Sequence, residues 1–269
     1  MATAFQELTA HTDLISNLVI RDLKTRYRGS VLGFLWTILN PLFMAAIYIF
    51  FLRLLSRGIA NQYENIIIGV FAWQYTVHCV NSGLNSITAN ASLVKKVAFP
   101  RAILPFASSL SGLVNFWLTL LVQWVLLALL LWFNRGEHLP WTTLLVPFFT
   151  LYHLLFGYSL ALFLAAANVY FRDTEHIVGL LLSAWFFMSP VMYPLEMVSQ
   201  VAAGHPWIAS LYMLNPLTSL LTVYRLLQVP GTTFPWSWPA AIGLLLPLLL
   251  FAAASATFKR AQRNFADHL

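Results

Sequence analysis

Acidic side chains are scarce in this sequence. Glu7, Asp13, Asp22, Glu64, Glu137, Asp173, Glu175, Glu196 and Asp267 are the whole set among 269 residues. None lies deep in an apolar stretch, whereas ion-coupled carriers place ionisable groups near the bilayer midplane. The scarcity argues against coupling to an ion gradient, and against a glycosyltransferase, which needs loop carboxylates for metal and nucleotide-sugar. Cysteine is a single residue, Cys79, in an apolar stretch; it forms no internal disulfide and redox chemistry is not expected. No glycine is followed by lysine, so the chain has no P-loop, and if ATP drives it another polypeptide binds the nucleotide. The first thirty residues lack the short apolar core and cleavage site of a signal peptide. His78 and His153 stand alone on apolar helices without a second ligand at metal-binding spacing, and read as core histidines. Asp173 and Glu175 admit a catalytic carboxylate pair or a charged helix connector, and the connector is the better fit. Leu110-Ser111-Gly112 echoes a nucleotide-binding fragment but sits inside an apolar run. No catalytic residue and no metal site are expected.

What the chain has is apolar length. It is 59% hydrophobic and 9% charged, against about a quarter charged in soluble domains. No charge falls between Ala102 and Asn134 or between Leu139 and Phe171, and each run exceeds the roughly 20 residues that cross about 30 Å of hydrocarbon. Spans are expected at 31–53, 66–88, 102–133, 141–169, 176–194 and 236–258. Cations gather on alternate sides: Arg21, Lys24, Arg26 and Arg28; then Lys95, Lys96 and Arg101; then Arg172; then Lys259, Arg260 and Arg263. The opposite connections hold Arg53, Arg57, Arg135 and Arg225. The positive-inside rule puts both termini in the cytoplasm, which accounts for the net charge of +6 without nucleic acid. The fold class is all-α: a polytopic membrane protein of about six helices, forming one transmembrane domain over residues 1–269.

Residues 1–30 plot as an amphipathic helix, with Phe5, Leu8, Leu14, Ile15, Leu18, Val19 and Leu23 on one half of the wheel. Two coverings fit that face: lipid at the membrane interface, or protein. Asp22 and Arg26 interrupt it at i,i+4 spacing and are able to pair. Residues 195–235 hold Pro206, Pro216, Pro230 and Pro235 between short apolar pieces, Trp207–Leu214 and Leu217–Leu227. Pieces this short read as a re-entrant or interfacial hairpin on the outer face, before a last span at 236–258 and a tail at 259–269. Aromatic residues, 15% of the chain, crowd the spans. They serve either as core and interface filling or as a wall on which sugar rings slide.

Three stretches then resemble a known family. Arg-Asp-Leu-Lys-Thr-Arg-Tyr-Arg-Gly-Ser-Val-Leu-Gly-Phe-Leu-Trp-Thr-Ile-Leu-Asn-Pro-Leu, residues 21–42, is similar to the opening of type 2 ABC exporter permeases that move polysaccharides. Lys95-Lys96-Val97-Ala98-Phe99-Pro100-Arg101 resembles the connector after their second span. Tyr170-Phe171-Arg172-Asp173, Ser189-Pro190-Val191-Met192-Tyr193-Pro194 and Leu214-Asn215-Pro216-Leu217 resemble their C-terminal half. Asn40 before Pro41 is similar to the O-antigen and teichoic-acid branches, with capsule exporters as the alternative.

The resemblance implies a homodimer in the bacterial inner membrane with two copies of a separate ATPase subunit. That subunit would hold ATP and Mg, with no cofactor in this chain. The implied substrate is a polysaccharide on polyprenyl diphosphate. ATPase coupling is expected at Asp22, Arg26, Ser92, Lys95, Lys96, Phe99, Pro100 and Arg101. Arg21, Lys24, Arg26 and Arg28 are expected to bind the lipid diphosphate, or else only to orient the chain. Trp36, Trp73, Trp117, Tyr158, Trp185, Phe187 and Tyr193 are the candidate channel aromatics. Pro190, Pro194, Asn215 and Pro216 are the candidate outer gate, and the spans from Val31 and around 176–194 the lateral gate. Rival readings are a drug or lipid exporter of the same fold, a membrane enzyme of polyprenol-sugar metabolism, and a membrane scaffold.

Overall fold

The computed structural model describes residues 11–26, 29–33, 35–55, 63–195, 197–198 and 205–269. Phe5, Leu8, Arg28, Arg57 and Glu196, and with them the role expected of Arg28, lie outside the described residues. Among the described residues the chain is all-α. The helices are α1 (Thr12–Arg26), α2 (Leu35–Leu55), α3 (Tyr63–Asn85), α4 (Ala91–Lys96), α5 (Ile103–Arg135), α6 (Val146–Tyr170), α7 (Thr174–Phe187), α8 (Pro206–Leu214), α9 (Pro216–Gln228), α10 (Trp238–Ala261) and the short α11 (Phe265–His268).

Three stretches are long and apolar enough to cross a bilayer: Ile103–Arg135, Trp141–Tyr170 and Trp238–Asn264. Helix α3 has 23 residues but is more polar, because its neighbours enclose it. Thr76 bonds to His153 at 2.9 Å, and Gln74 and His78 face a cavity, so its polar groups are used inside the protein. Helix α7 is only 14 residues long, about 21 Å at 1.5 Å per residue. The expected span 176–194 is therefore not one helix. Pro190 has no N–H to donate and disfavours helix at Ser189, so the chain leaves the helix after Phe187.

Small residues set the helix crossings. A Cβ on Gly83 would lie 2.3 Å from the Ala161 Cβ, and one on Gly157 would lie 2.6 Å from the Cys79 Sγ, so α3 and α6 meet almost backbone to backbone. Cys79 is packing at that crossing. The main core joins Ile68, Phe71 and Val80 of α3, Leu113 and Leu120 of α5, Phe186 of α7 and Leu221 and Tyr224 of α9. Helix α5 ends at Gly136, whose φ of +66° provides the left-handed cap.

A second core lies at the end of the molecule where the basic residues gather. Ile15, Leu18 and Val19 of α1 are buried there with Val94 of α4 and Ile103, Leu104 and Ala107 of α5. Of the two coverings open to the α1 face, protein takes this part, while Ile20 is 45% exposed on the far side. Asp13 in the first turn and Lys24 and Arg26 in the last suit the helix dipole. The chain's last residues return to this core, where Phe265 is buried and Tyr170 donates to the Ala261 carbonyl at 2.8 Å.

Candidate functional site

The functional side chains fall into three groups, two toward the basic end and one opposite. In the first, α1 and the α4 connector are clasped together. Arg21 donates to the Asn90 side-chain oxygen at 2.7 Å, just before α4. Val94 is buried, while Ser92, Lys95 and Lys96 are exposed, so α4 has an apolar underside and a cationic outer face. Phe99 packs on the second core, and the Pro100 carbonyl accepts from the Ile103 N–H at 3.0 Å, starting α5. Arg101 is engaged within the chain: it donates to the Gln262 carbonyl, and its guanidinium carbon lies 5.9 Å from the Phe265 ring centre. Arg21, Lys24 and Arg26 are exposed and make the rest of the cationic face. The expected Asp22–Arg26 pairing is replaced: Asp22 lies 4.0 Å from Arg21, and Arg26 turns to His78. Burial raises the Asp22 carboxyl above its ordinary value, with Arg21 and Arg26 pulling the other way.

The second group surrounds a cavity of about 430 Å³ between α2, α3 and α5, where polar side chains stand among apolar ones, with Arg26 and Ser30 on its rim. One Arg26 nitrogen lies 2.9 Å from the His78 Nδ1 and 3.1 Å from its Nε2, the Ser82 hydroxyl is 3.1 Å from Nδ1, and Nε2 sits 3.3 Å from the Ser108 carbonyl. A Cβ on Gly112 would strike the His78 ring at 2.0 Å, so glycine here lets the ring reach α5. His78 is therefore more than core filling, whereas His153 is buried between Thr76 and the Tyr224 hydroxyl, 3.2 Å away. Along α5, Ser111, Asn115, Thr119 and Gln123 recur every four residues, all buried, and form one polar stripe. Gln123 donates to the Gln228 side-chain oxygen at 2.7 Å. Neither amide atom of Asn115 has a hydrogen-bond partner, and Asn115 lines the cavity. That stripe was readable as polar residues at helical spacing in a charge-free run, and sequence reasoning passed over it.

The third group holds the far end. Asn215 caps α9 by accepting from the Leu217 N–H at 3.1 Å, and accepts from the Trp185 indole N–H at 3.0 Å. Its own N–H groups donate to the Ser189 Oγ at 2.8 Å and the Met188 carbonyl at 3.3 Å. Tyr193 donates to the Phe187 carbonyl at 2.8 Å, and its hydroxyl lies 3.0 Å from that of Tyr212. Pro190, Asn215, Pro216, Trp185 and Tyr193 thus converge where α7 meets the α8–α9 hairpin, and the Pro194 carbonyl accepts from the Met197 N–H in the next turn. Arg225, which the sequence placed in an outer connection, is 3% exposed inside α9. Its guanidinium donates to the carbonyls of Pro190 at 2.5 Å, Asn65 at 3.1 Å and Val191 at 3.3 Å. A lone arginine in an apolar segment was the available signal. Arg135 and the buried Glu64 pair nearby, joining the end of α5 to the start of α3.

Asn215→Ala removes all four contacts, and Asn215→Asp keeps the two accepted ones. Thermal unfolding in detergent is expected to rank the parent above the Asp variant and the Asp above the Ala variant. The cap and each further bond contribute about 1 kcal/mol. Equal melting of all three would remove Asn215 as the staple.

The candidate aromatics divide by environment. Trp36 and Trp117, each 41% exposed, and Phe187, 65% exposed, present open ring surface. Trp73 is buried edge-on to Trp185 at 6.1 Å, and Tyr158 is buried with its hydroxyl on the Ala102 carbonyl at 3.2 Å.

Apolar helices long enough to cross a bilayer, a cavity with polar groups beside a cationic face and a stapled hairpin opposite suit a multi-pass membrane transport subunit. The ABC-2 type transporter model matches residues 13–229, and the chain belongs to that family. It is similar to the O-antigen export system permease protein RfbA of Myxococcus xanthus, 35% identical over 270 residues and 100% of each chain. Two proteins of that name from Klebsiella pneumoniae are 31% identical, one over 82% and the other over 81% of each chain. The chain is accordingly a transporter membrane subunit and not an enzyme.

Proposed function

We propose that this chain is the transmembrane subunit of an ABC exporter that moves O-antigen polysaccharide, linked to polyprenyl diphosphate, across the bacterial cytoplasmic membrane. The observation that carries the reading is the end-to-end likeness to an O-antigen export permease. Two copies of the chain form the conduit, and two copies of a separate ATPase subunit, holding ATP and Mg, drive it. Both termini are cytoplasmic, so the cationic face of α1 and α4 meets the ATPase and the diphosphate headgroup. The hairpin of α8 and α9 then closes the exit.

The geometry supports these roles. Ser92, Lys95 and Lys96 stand outward on a connector anchored by Val94, a form suited to docking in a partner's cleft. Arg21 and Lys24 remain exposed for a phosphate, and Arg26 stands at the rim of the cavity. The open rings of Trp36, Trp117 and Phe187 suit a wall that a sugar polymer passes without deep polar traps.

The test has two readouts. A deletion strain is expected to lose surface glycan and accumulate lipid-linked polymer inside the cell, whereas loss of a drug or lipid exporter would leave surface glycan intact. The purified chain, free of any ATPase subunit, is expected to hydrolyse no ATP; robust turnover from such a preparation would sink the proposed division of labour.

A further inference from the structure

We infer that the cavity between α2, α3 and α5 binds a sugar that carries a phosphate, with Arg26 taking the phosphate and Asn115 the sugar hydroxyls. The inference deepens the exporter reading and rests on it for the ligand's source, the phosphate-bearing end of the lipid-linked glycan.

Charge comes first. Arg26 is exposed at the rim and donates to a histidine nitrogen; among the described residues no carboxylate lines the cavity. The nearest acid on its own helix, Asp22, lies against Arg21. A guanidinium whose neighbour is an imidazole acceptor keeps its positive charge for an anion, and its planar fork matches a phosphate.

The interior has a different character. Asn115 is 5% exposed, and both its amide nitrogen and its oxygen lack hydrogen-bond partners, as does the Ser111 hydroxyl one turn away. A buried amide left without partners costs free energy unless something arrives to bond it. Sugar hydroxyls donate and accept at once, which satisfies both ends of an amide. Thr119, Thr37 and Gln74 add polar groups, and the Trp36 indole at the mouth offers an apolar face for a pyranose ring. The volume, about 430 Å³, falls in the usual range for small-ligand sites, roughly 300–1,000 Å³.

The polarity is also ordered. His78 touches Gly112, Asn115 lies one turn further along α5, and Thr119 one turn beyond that. An anion held at Arg26 places an attached sugar at Asn115. A bare phosphate would leave the amide unused, and a neutral sugar would leave the guanidinium unused.

The experiment uses the full-length chain in lipid nanodiscs and three radiolabelled probes: polyprenyl diphosphate carrying an N-acetylhexosamine disaccharide, the same lipid without sugar, and glucose 1-phosphate. Asn115→Leu is expected to weaken the glycosylated lipid about tenfold and leave the bare lipid within about twofold. Asn40→Asp, at an exposed position lining the cavity, puts a negative charge near the phosphate and is expected to weaken both lipids severalfold. That second variant keeps the test alive if Asn115→Leu does not fold. Unchanged affinity in both variants overturns the site and leaves the exporter reading standing. Equal weakening of both lipids by Asn115→Leu overturns the sugar assignment. A parent chain that binds neither lipid overturns the site and the exporter reading together. Tight binding of glucose 1-phosphate with the same dependence on Asn115 upholds the chemistry and assigns it to a soluble sugar phosphate.

Discussion

Arg225→Met is expected to be among the most damaging single substitutions at the hairpin end. It takes the donor away from the carbonyls of Pro190, Asn65 and Val191 without moving them. The Asn65 carbonyl keeps its helix bond, whereas those of Pro190 and Val191 are left short of a donor at about 1–3 kcal/mol each, a total loss on the order of 2–6 kcal/mol. Glycine at position 69 makes room for this arrangement: a Cβ there would lie 2.0 Å from the Val191 carbonyl oxygen and 3.1 Å from the guanidinium. Arg225→Lys keeps the charge, but its shorter side chain places the ammonium differently from the one guanidinium nitrogen that makes all three bonds, and an intermediate loss is expected. Thermal unfolding in detergent, with limited proteolysis around residues 188–195, reads both effects. A methionine variant that melts with the parent and resists protease equally would show that the elbow after α7 is held by other contacts.

Reversing both Lys95 and Lys96 to glutamate is expected to reduce glycan export to background while the chain stays folded and inserted. Both side chains are exposed on the last turn of α4, and the burial that fixes the connector belongs to Val94 on its other side. Cations at a docking surface steer and register a partner, and like charges placed there repel it. Arg21, Lys24 and Arg172 remain to hold the orientation of the chain. The measurements are surface glycan in cells and, in reconstituted complex, ATP hydrolysis against lipid-linked substrate. Val94→Asp is the contrasting variant: it puts a charge into the second core and is expected to lower the yield of folded protein itself. Normal export with both lysines reversed would remove the connector from the mechanism.

The parts of this architecture that sequence made legible are those with a one-to-one physical cause. Charge-free runs became α5, α6 and α10, because only a helix satisfies its own backbone across hydrocarbon. The proline-started pieces after residue 205 became α8 and α9, because Pro fits a first helical position and Asn215 caps the second. Periodicity was silent on what covers a face. The α1 pattern is the same for lipid and protein, and the packing on Leu104 and Ala107 emerged only in three dimensions. Aromatic residues on helices apolar all round carry no directional signal, so Trp73, inside the core, and Trp36, open at the cavity, looked alike. Arg225 was misread for a related reason: counting cations by connection says nothing of carbonyls brought together from distant turns. The stripe at Ser111, Asn115, Thr119 and Gln123 had a clear period, and only its chemistry hid it among serines and threonines common in membrane helices.

The length of α5 carries a mechanical consequence. At 33 residues it is about 50 Å long, some 20 Å more than the hydrocarbon it crosses. Its first turns are gripped by α1 and α4, and its far half is tied to Gln228 through Gln123 and to Glu64 through Arg135. It is a push rod, seated in a socket at one end and fastened to the hairpin at the other. A tilt of about 5° at the socket, small enough for the packing around Leu104 to absorb, moves the far end of such a rod by about 4 Å. That travel exceeds the length of any hydrogen bond Asn215 makes, so a slight rocking at the basic end, passed to α9 through Gln123 and Gln228, would be enough to undo the staple at the far end.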